Sequence, residues 1–169
     1  MMTKLYLVRH GETVDNAKQI LQGQEQGELN ATGISQARKV RDELRAEPID
    51  AFVASDLKRS VDTCRIIAEP HNCEVVTTPL LRERDWGDFT GKFIPDLKDA
   101  EWPGNVETIE HLRARAQNFL TWLKVAYPDQ TVLAVGHGIV NKAIQSVYYR
   151  KPMNEIQRMT NADVRVLLL

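Results

Sequence analysis

Short apolar runs alternate with longer amphipathic stretches along this chain. The apolar runs predict β-strands, over Lys4–Val8, Ala51–Ala54, Glu74–Thr77, Thr131–Val135 and Val164–Leu169. Stretches whose apolar residues recur at helical spacing predict helices, over Thr32–Arg45, Asp56–Ala68, Val106–Val125 and Gly138–Tyr149. Such alternation is typical of a largely parallel sheet with helices on both faces. The pattern therefore predicts an α/β fold, as a single domain over residues 1–169.

Capping and helix-breaking residues mark the boundaries of these elements. Ser55 is predicted to cap the helix that follows the second strand, and Pro70 is predicted to end it. The segment from Thr78 to Asn105 is irregular and contains several Pro and Gly residues. A loop this long in a compact domain is usually functional.

The charge balance and the hydropathy narrow the class of protein. The chain has 22 Lys and Arg against 23 Asp and Glu, for a net formal charge of -1. This balance argues against a nucleic-acid-binding protein, which shows a basic excess. There is no apolar run of membrane-spanning length and no signal-peptide pattern, so we expect a cytoplasmic protein with no membrane partner. The oligomeric state stays open.

Polar residues suited to chemistry stand where the predicted strands end. Arg9 and His10 follow the first strand, and Arg59 lies in the first turn after the second. Glu83 lies in the irregular segment after the third strand, and His137 follows the fourth. The carboxyl ends of parallel strands point the same way, so these residues are predicted to converge in one crevice.

These residue types suit an anionic phosphoryl group, which carries about two negative charges near neutral pH. Arg9 and Arg59 are predicted to hold its oxygens with bidentate forks, and His137 to donate a further hydrogen bond from a helix N-terminus. His10 is the candidate nucleophile. Glu83 is the candidate proton donor and, in reverse, the base that activates water.

The residues that flank Glu83 complicate its role. Arg82 and Arg84 would favour an ionised carboxylate, whereas a general acid must carry a proton. Alternate side chains of an extended segment point in opposite directions. We therefore expect the two arginines to face solvent or substrate, while Glu83 faces the crevice.

A metal centre with histidine ligands is the main alternative to the phosphoryl-binding site. The four histidines of the chain show no ligand spacing that is typical of a metal site. We therefore expect no metal.

Motif by motif, the chain resembles the histidine phosphatase superfamily, the phosphoglycerate mutase-like proteins. The resemblance runs in order along nearly the whole chain, through Leu7-Val8-Arg9-His10-Gly11-Glu12-Thr13 with Asn16, Gln22-Gly23, Leu29-Asn30-Ala31-Thr32-Gly33 with Gln36-Ala37, Ser55-Asp56-Leu57 with Arg59 and Thr63, Leu81 with Glu83, Gly87 and Gly91, Pro103-Gly104 with Glu107-Thr108 and Arg115, and Gly136-His137-Gly138.

The resemblance implies a three-layer α/β/α sandwich, a phosphohistidine intermediate on His10 and no metal or organic cofactor. It implies that Glu83 acts as acid and base. It also implies a phosphoryl-binding and entry site made by the residues Arg9, Asn16, Gly23, Arg59, His137 and Gly138.

One residue and one segment of the chain depart from the family pattern. Thr90 stands where a glutamate is common before Gly91, although that glutamate is not the proton donor. The stretch from Lys92 to Trp102 is much shorter than in the mutases of glycolysis, whose lid shields the phosphoenzyme from water. Because a short lid excludes little water, hydrolysis should outcompete transfer to a second hydroxyl.

The sequence therefore predicts a metal-independent phosphomonoester hydrolase that acts on a small phosphorylated metabolite. A mutase and an inactive module that binds a phosphorylated ligand are the alternatives. Phe89, Phe93 and Trp102 are candidates for an apolar wall of the pocket, although Phe89 would serve equally well in the core. The natural substrate stays open.

Overall fold

The computed structural model describes residues 2–169. Its strands are β1 to β5 in chain order, at Lys4–Arg9, Ala51–Ser55, Val75–Thr78, Thr131–Gly136 and Val164–Leu168. Its α-helices are α1 to α5 in chain order, at Val14–Ala17, Ala31–Leu44, Lys58–Ala68, Ile109–Ala126 and Gly138–Tyr149. The predicted strands and long helices are all present, with ends that differ by a few residues.

The five strands form one mixed sheet in the order β3-β2-β4-β1-β5. β1, β2, β3 and β4 run parallel, and β5 pairs with β1 in the antiparallel direction. In the parallel register of the two central strands, Arg9 lies beside Gly136. The residues that follow β1 and β4, His10 and His137, therefore emerge side by side at one edge of the sheet.

Alternate residues of the central strands bury opposite faces of the sheet. Leu5 and Leu7 pack with α4 and α5 in one core cluster. Tyr6 and Val8 pack with α2 and α3 in the other. The structure thus confirms an α/β fold whose mostly parallel sheet is covered by helices on both faces.

Two predicted helix starts are wrong. α3 begins at Lys58, and Leu57 precedes it without a side-chain capping bond. Ser55 belongs to the end of β2, so it does not cap that helix. α4 begins at Ile109, because Thr108 accepts a hydrogen bond from the amide of His111 and caps it there.

The segment between β3 and α4 has no long element of its own. It contains short 3-10 turns, at Pro79–Leu81, Gly87–Phe89 and Ile94–Leu97. Part of it is tied to the loop after α1, where Leu21 donates to the carbonyl of Lys92 and Ile94 donates to the carbonyl of Gln19. Across residues 2–169, no helix has the length and apolarity that a membrane crossing requires.

Candidate active site

The His10 ring lies buried at the end of β1, with 2 % of the residue exposed. Its Nδ1 is 2.7 Å from the carbonyl oxygen of Gly11, and its Nε2 is 3.3 Å from Nε of Arg59. Arginine can only donate, so Nε2 is the acceptor and the ring proton lies on Nδ1. In this tautomer the lone pair of Nε2 faces the Nε–H of Arg59, and both residues line the pocket.

Burial and neighbouring cations keep this ring neutral. Desolvation is the largest cause, followed by the charge of Arg59, and together they lower the pKa of His10 well below its ordinary value. The hydrogen bond to Gly11 opposes the shift and is outweighed. A neutral imidazole has an unprotonated ring nitrogen, as a nucleophile needs.

The Arg59 side chain lies beneath the pocket and is fixed by the loop before α2. The residue is 1 % exposed. Nη2 donates to the carbonyl of Gly23 over 2.7 Å, and Nη1 donates to the carbonyls of Gln26 over 3.1 Å and of Glu25. Desolvation lowers the pKa of Arg59 to about 10, and the group stays charged at neutral pH.

This arrangement differs from the bidentate phosphate fork predicted for Arg59. Carbonyl oxygens occupy most of the guanidinium hydrogens, because the loop that contains Gly23 wraps around the side chain. The Nε–H faces His10. Arg59 therefore combines a fixed positive charge next to His10 with support for the pocket loop.

Arg9 has the more open guanidinium. Its Nη1 donates to the carbonyl of Met159 over 2.8 Å. Its buried Nε has no hydrogen-bond partner among residues 2–169. Burial, followed by the charge of Arg158, lowers the pKa of Arg9. Nε is a desolvated donor that an anion in the pocket would satisfy.

His137 lies below His10, and none of its surface is exposed. The two rings are edge to face, with centroids 5.0 Å apart. Nε2 of His137 is 2.7 Å from Oγ of Ser55 and 3.0 Å from Oγ of Ser60. Because Oγ of Ser55 accepts from the amide of Leu57, its hydroxyl hydrogen is free to donate to Nε2.

With Ser55 donating to Nε2, the ring proton of His137 lies on Nδ1, which has no partner within the described part of the chain. Desolvation, followed by the charge of Arg59, lowers the pKa of His137 well below its ordinary value. In this tautomer the ring is a neutral donor next to His10. The sequence did not assign Ser55 and Ser60 to this site.

The Glu83 carboxylate lies at the N-terminus of α5. It accepts hydrogen bonds from the backbone amides of Arg84, Ile139 and Val140, over 2.9, 3.0 and 2.9 Å. The flanking arginines point elsewhere. Arg82 forms a bidentate pair with Asp56, at 2.7 Å for both contacts, and Arg84 stacks on Trp86 with its guanidinium carbon 4.7 Å from the ring centroid.

His137 is not part of the lining of the pocket that holds His10, Arg59 and Glu83, but the other predicted site residues border that pocket. Among them are Asn16, Gly23 and Gly138. Gly138 lies against Arg9, because a Cβ at position 138 would come within 3.4 Å of the guanidinium carbon. Oδ1 of Asn16 accepts from the amide of Thr13 and from Nδ2 of Asn161. Asn161 also donates to the carbonyl of His10 over 3.1 Å, and the sequence did not single it out.

The pocket has a volume of about 360 Å³. Polar groups form its floor, and one side is an apolar wall formed by Ile20, Leu21, Trp86, Phe89, Ile94, Leu97 and Trp102. The wall includes two of the three predicted aromatic residues, while Phe93 lies outside the lining. The exposed Arg158 also lines the pocket and has no residue type or motif that distinguishes it from other surface arginines.

Gly11 lies where the backbone packs closely against another segment. A Cβ at this position would collide with the backbone of Gly33, at the start of α2. The glycine therefore lets the loop after β1 pack against that helix. Within residues 2–169, no group of three or more His, Cys, Asp or Glu side chains is arranged to hold a metal ion.

Comparison with known proteins places this site in a family. The profile of the histidine phosphatase superfamily (branch 1) matches residues 5–169. The chain is 35% identical over 166 residues to an uncharacterized phosphatase, PhoE, of Bacillus subtilis, covering 95% of this chain and 86% of that one. It is 34% identical over 172 residues to a probable phosphoglycerate mutase, GpmB, of an Enterobacter species, covering 94% and 80%.

A solved structure shares the architecture over almost the full chain. The mycobacterial glucosyl-3-phosphoglycerate phosphatase superposes with a TM-score of 0.89 at 26% sequence identity. The superposition covers 99% of this chain and 91% of that structure.

Proposed function

Because this chain belongs to the histidine phosphatase superfamily, we propose that it is a metal-independent phosphomonoester hydrolase with His10 as nucleophile. One observation carries the proposal. The Nε2 lone pair of the neutral His10 shares a pocket with the unsatisfied buried Nε of Arg9 and lies next to the ring of His137, whose Nδ1 is also unsatisfied. A nucleophile beside desolvated donors is the arrangement that stabilises negative charge on a phosphoryl group in transfer.

In the first proposed step, the Nε2 lone pair of His10 forms a bond to phosphorus. The bond from phosphorus to the ester oxygen breaks, and its electron pair goes to the leaving alcohol oxygen. That oxygen takes a proton from the carboxyl group of Glu83. Arg9, Arg59 and His137 stabilise the charge on the other phosphoryl oxygens.

In the second step, water attacks the phosphorus of the phosphohistidine. The Glu83 carboxylate takes a proton from that water, the bond from phosphorus to Nε2 breaks, and its electron pair returns to His10. Glu83 is then protonated again for the next turnover. No step requires a metal.

The proposed substrate is a small phosphorylated metabolite with an apolar portion. The phosphoryl end fits the polar floor, and the rest of the molecule would contact the wall that includes Trp86, Phe89 and Trp102. Trp102 is 55% exposed, yet its ring is held 5.7 Å from Trp86 and 5.5 Å from Phe89. A fixed exposed ring offers stacking area at little entropic cost.

Hydrolysis is proposed over mutase chemistry because the covering segment is short and exposed. Ile94 and Trp102, which border the pocket from this segment, are 47% and 55% exposed. Water can therefore reach a phosphohistidine during turnover.

The experiment measures two products from one substrate. The enzyme is given 3-phosphoglycerate with a bisphosphorylated primer, and released phosphate and isomerised phosphoglycerate are both quantified. Faster phosphate release supports the hydrolase, and faster isomerisation establishes a mutase. A broad panel of phosphomonoesters then ranks substrates, and no turnover on any of them would contradict an enzymatic function.

A further inference from the structure

The segment that carries Glu83 has no regular structure of its own. Arg82 to Trp86 belong to neither a strand nor a helix. Without a backbone ladder, the position of the Glu83 carboxylate depends on contacts from elsewhere in the fold. The amides of Ile139 and Val140 hold the carboxylate itself. The backbone on either side of Glu83 is held mostly by two residues near the start of α4, Arg115 and Glu107.

Arg115 fixes the backbone on the amino-terminal side of this segment. Its Nη1 donates to the carbonyls of Leu80 and Arg82, over 3.0 and 2.6 Å. Its Nη2 donates to the carbonyl of Glu83 itself, over 3.3 Å. The remaining edge of the guanidinium, Nε and Nη2, is paired with the carboxylate of Glu107, over 3.1 and 2.9 Å. All five guanidinium hydrogens therefore have acceptors.

Glu107 fixes the other side. Its Oε1 accepts from the amide of Asp85 over 3.0 Å, and its own amide donates back to the carbonyl of Asp85 over 2.8 Å. Its carbonyl accepts from Nε of Arg84 over 2.8 Å. The residues directly before and after Glu83 are thus held by the same two residues, Arg115 and Glu107.

The side chains of the pair are largely shielded from solvent, and their charges are well compensated. The side chains of Arg115 and Glu107 are 12% and 6% exposed. Burial by itself would raise the pKa of Glu107, but hydrogen bonds from Arg115 and from the Asp85 amide outweigh it and hold that pKa below its ordinary value. His111, on the solvent side, adds a 2.6 Å contact to Oε2.

We propose that the ion pair of Arg115 and Glu107 is a positioning device that sets the Glu83 carboxyl group at hydrogen-bonding distance from the leaving oxygen. This inference rests on the proposed function, in which Glu83 is the proton donor. The pair is outside the pocket that holds His10. Its effect on the reaction is therefore transmitted through the backbone from Leu80 to Asp85.

The test uses leaving groups that differ in their need for a proton. p-Nitrophenolate is a weak base and leaves without protonation, whereas the alkoxide of glycerol 3-phosphate must be protonated as the bond breaks. The rate of phosphoenzyme formation is measured by rapid quench with both substrates. Arg115→Met, Arg115→Lys and Glu107→Gln are compared with Glu83→Gln. Glu110→Gln, an exposed change on the same helix, is the matched control.

A positioning role predicts a selective loss. Arg115→Met and Glu107→Gln should slow phosphorylation by the alkyl ester about 10- to 100-fold, a part of what a general acid contributes. Phosphorylation by p-nitrophenyl phosphate should change less than about threefold on the same grounds. Arg115→Lys should lose less than Arg115→Met, and Glu110→Gln should behave as the parent enzyme.

The outcomes separate the two proposals. If Glu83→Gln is selective for the alkyl ester while the Arg115 and Glu107 variants slow both esters equally or not at all, the positioning role is wrong and the role of Glu83 stands. If Glu83→Gln itself shows no selectivity, its role as proton donor fails. Should Arg115→Met not fold, Glu107→Gln and Arg115→Lys, which keep most of the buried volume, decide the question.

Discussion

Replacing Arg59 removes the guanidinium that donates to Nε2 of His10, the proposed nucleophile, and tests how this site stabilises charge. The side chain is buried, and desolvation lowers its pKa to about 10. One unit of pKa corresponds to about 1.36 kcal/mol. The lowered pKa of Arg59 therefore means that the ligand-free site destabilises the charged form of this side chain by about 3 kcal/mol. A bound phosphoryl dianion offsets this cost, and it does so most fully in the transition state, where negative charge develops on the phosphoryl oxygens.

Arg59→Ala should therefore lower kcat about 10²- to 10³-fold, the usual loss for one preorganised charge stabiliser. Arg59→Lys should lose less, because it keeps the charge but not the contacts to the carbonyls of Gly23 and Gln26. The assay is saturating p-nitrophenyl phosphate hydrolysis, with folding checked by thermal unfolding. Arg65→Ala, at an exposed position of the same helix, should leave kcat unchanged. A loss below about tenfold in folded Arg59→Ala would refute the reasoning.

Other consequences concern protonation and the apolar wall. Because the folded-state pKa values of His10 and His137 are lowered, the unfolded chain binds more protons below about pH 6.5. The free energy of unfolding should then fall as the pH drops from about 7.5 to 5.5, in urea titrations. The ring nitrogens of His10 should remain those of a neutral imidazole at about pH 6 by NMR, and a protonated ring there would contradict the assignment. Trp102→Ala should raise KM for naphthyl phosphate about 2- to 10-fold, the range of one lost aromatic contact, with glycerol 3-phosphate little affected. Phe93→Ala, on the same segment but outside the pocket lining, should not alter either KM, and an equal effect of the two changes would argue against stacking on Trp102.

The periodic part of the fold could be predicted because its strands and helices bury apolar residues in regular patterns. Lys4–Arg9 and Thr131–Gly136 are strands whose apolar residues are buried on both faces of the sheet, so a continuous apolar run identifies them. The helix starts were less accurate. Ser55 has the side chain of an N-cap, but its hydroxyl is bonded to His137, and tertiary contacts of this kind leave no local pattern.

The site followed from topology more than from local spacing. Parallel strands bring Arg9, His10 and His137 to one sheet edge, so their convergence could be anticipated. The carbonyl contacts of Arg59 could not, because they join segments more than thirty residues apart in sequence. The same holds for the inclusion of Arg158 in the pocket lining, since one exposed arginine looks like any other in the sequence.

The central claim is that the phosphoryl group passes through His10. We would mix the enzyme with ³²P-labelled substrate, quench in base within the first turnover, and map the labelled residue by mass spectrometry. The account predicts an acid-labile, base-stable label on His10 that is absent in His10→Ala and retained in His111→Ala, whose side chain is 70% exposed on α4. Label that persists in His10→Ala, or turnover without any labelled histidine, would contradict it.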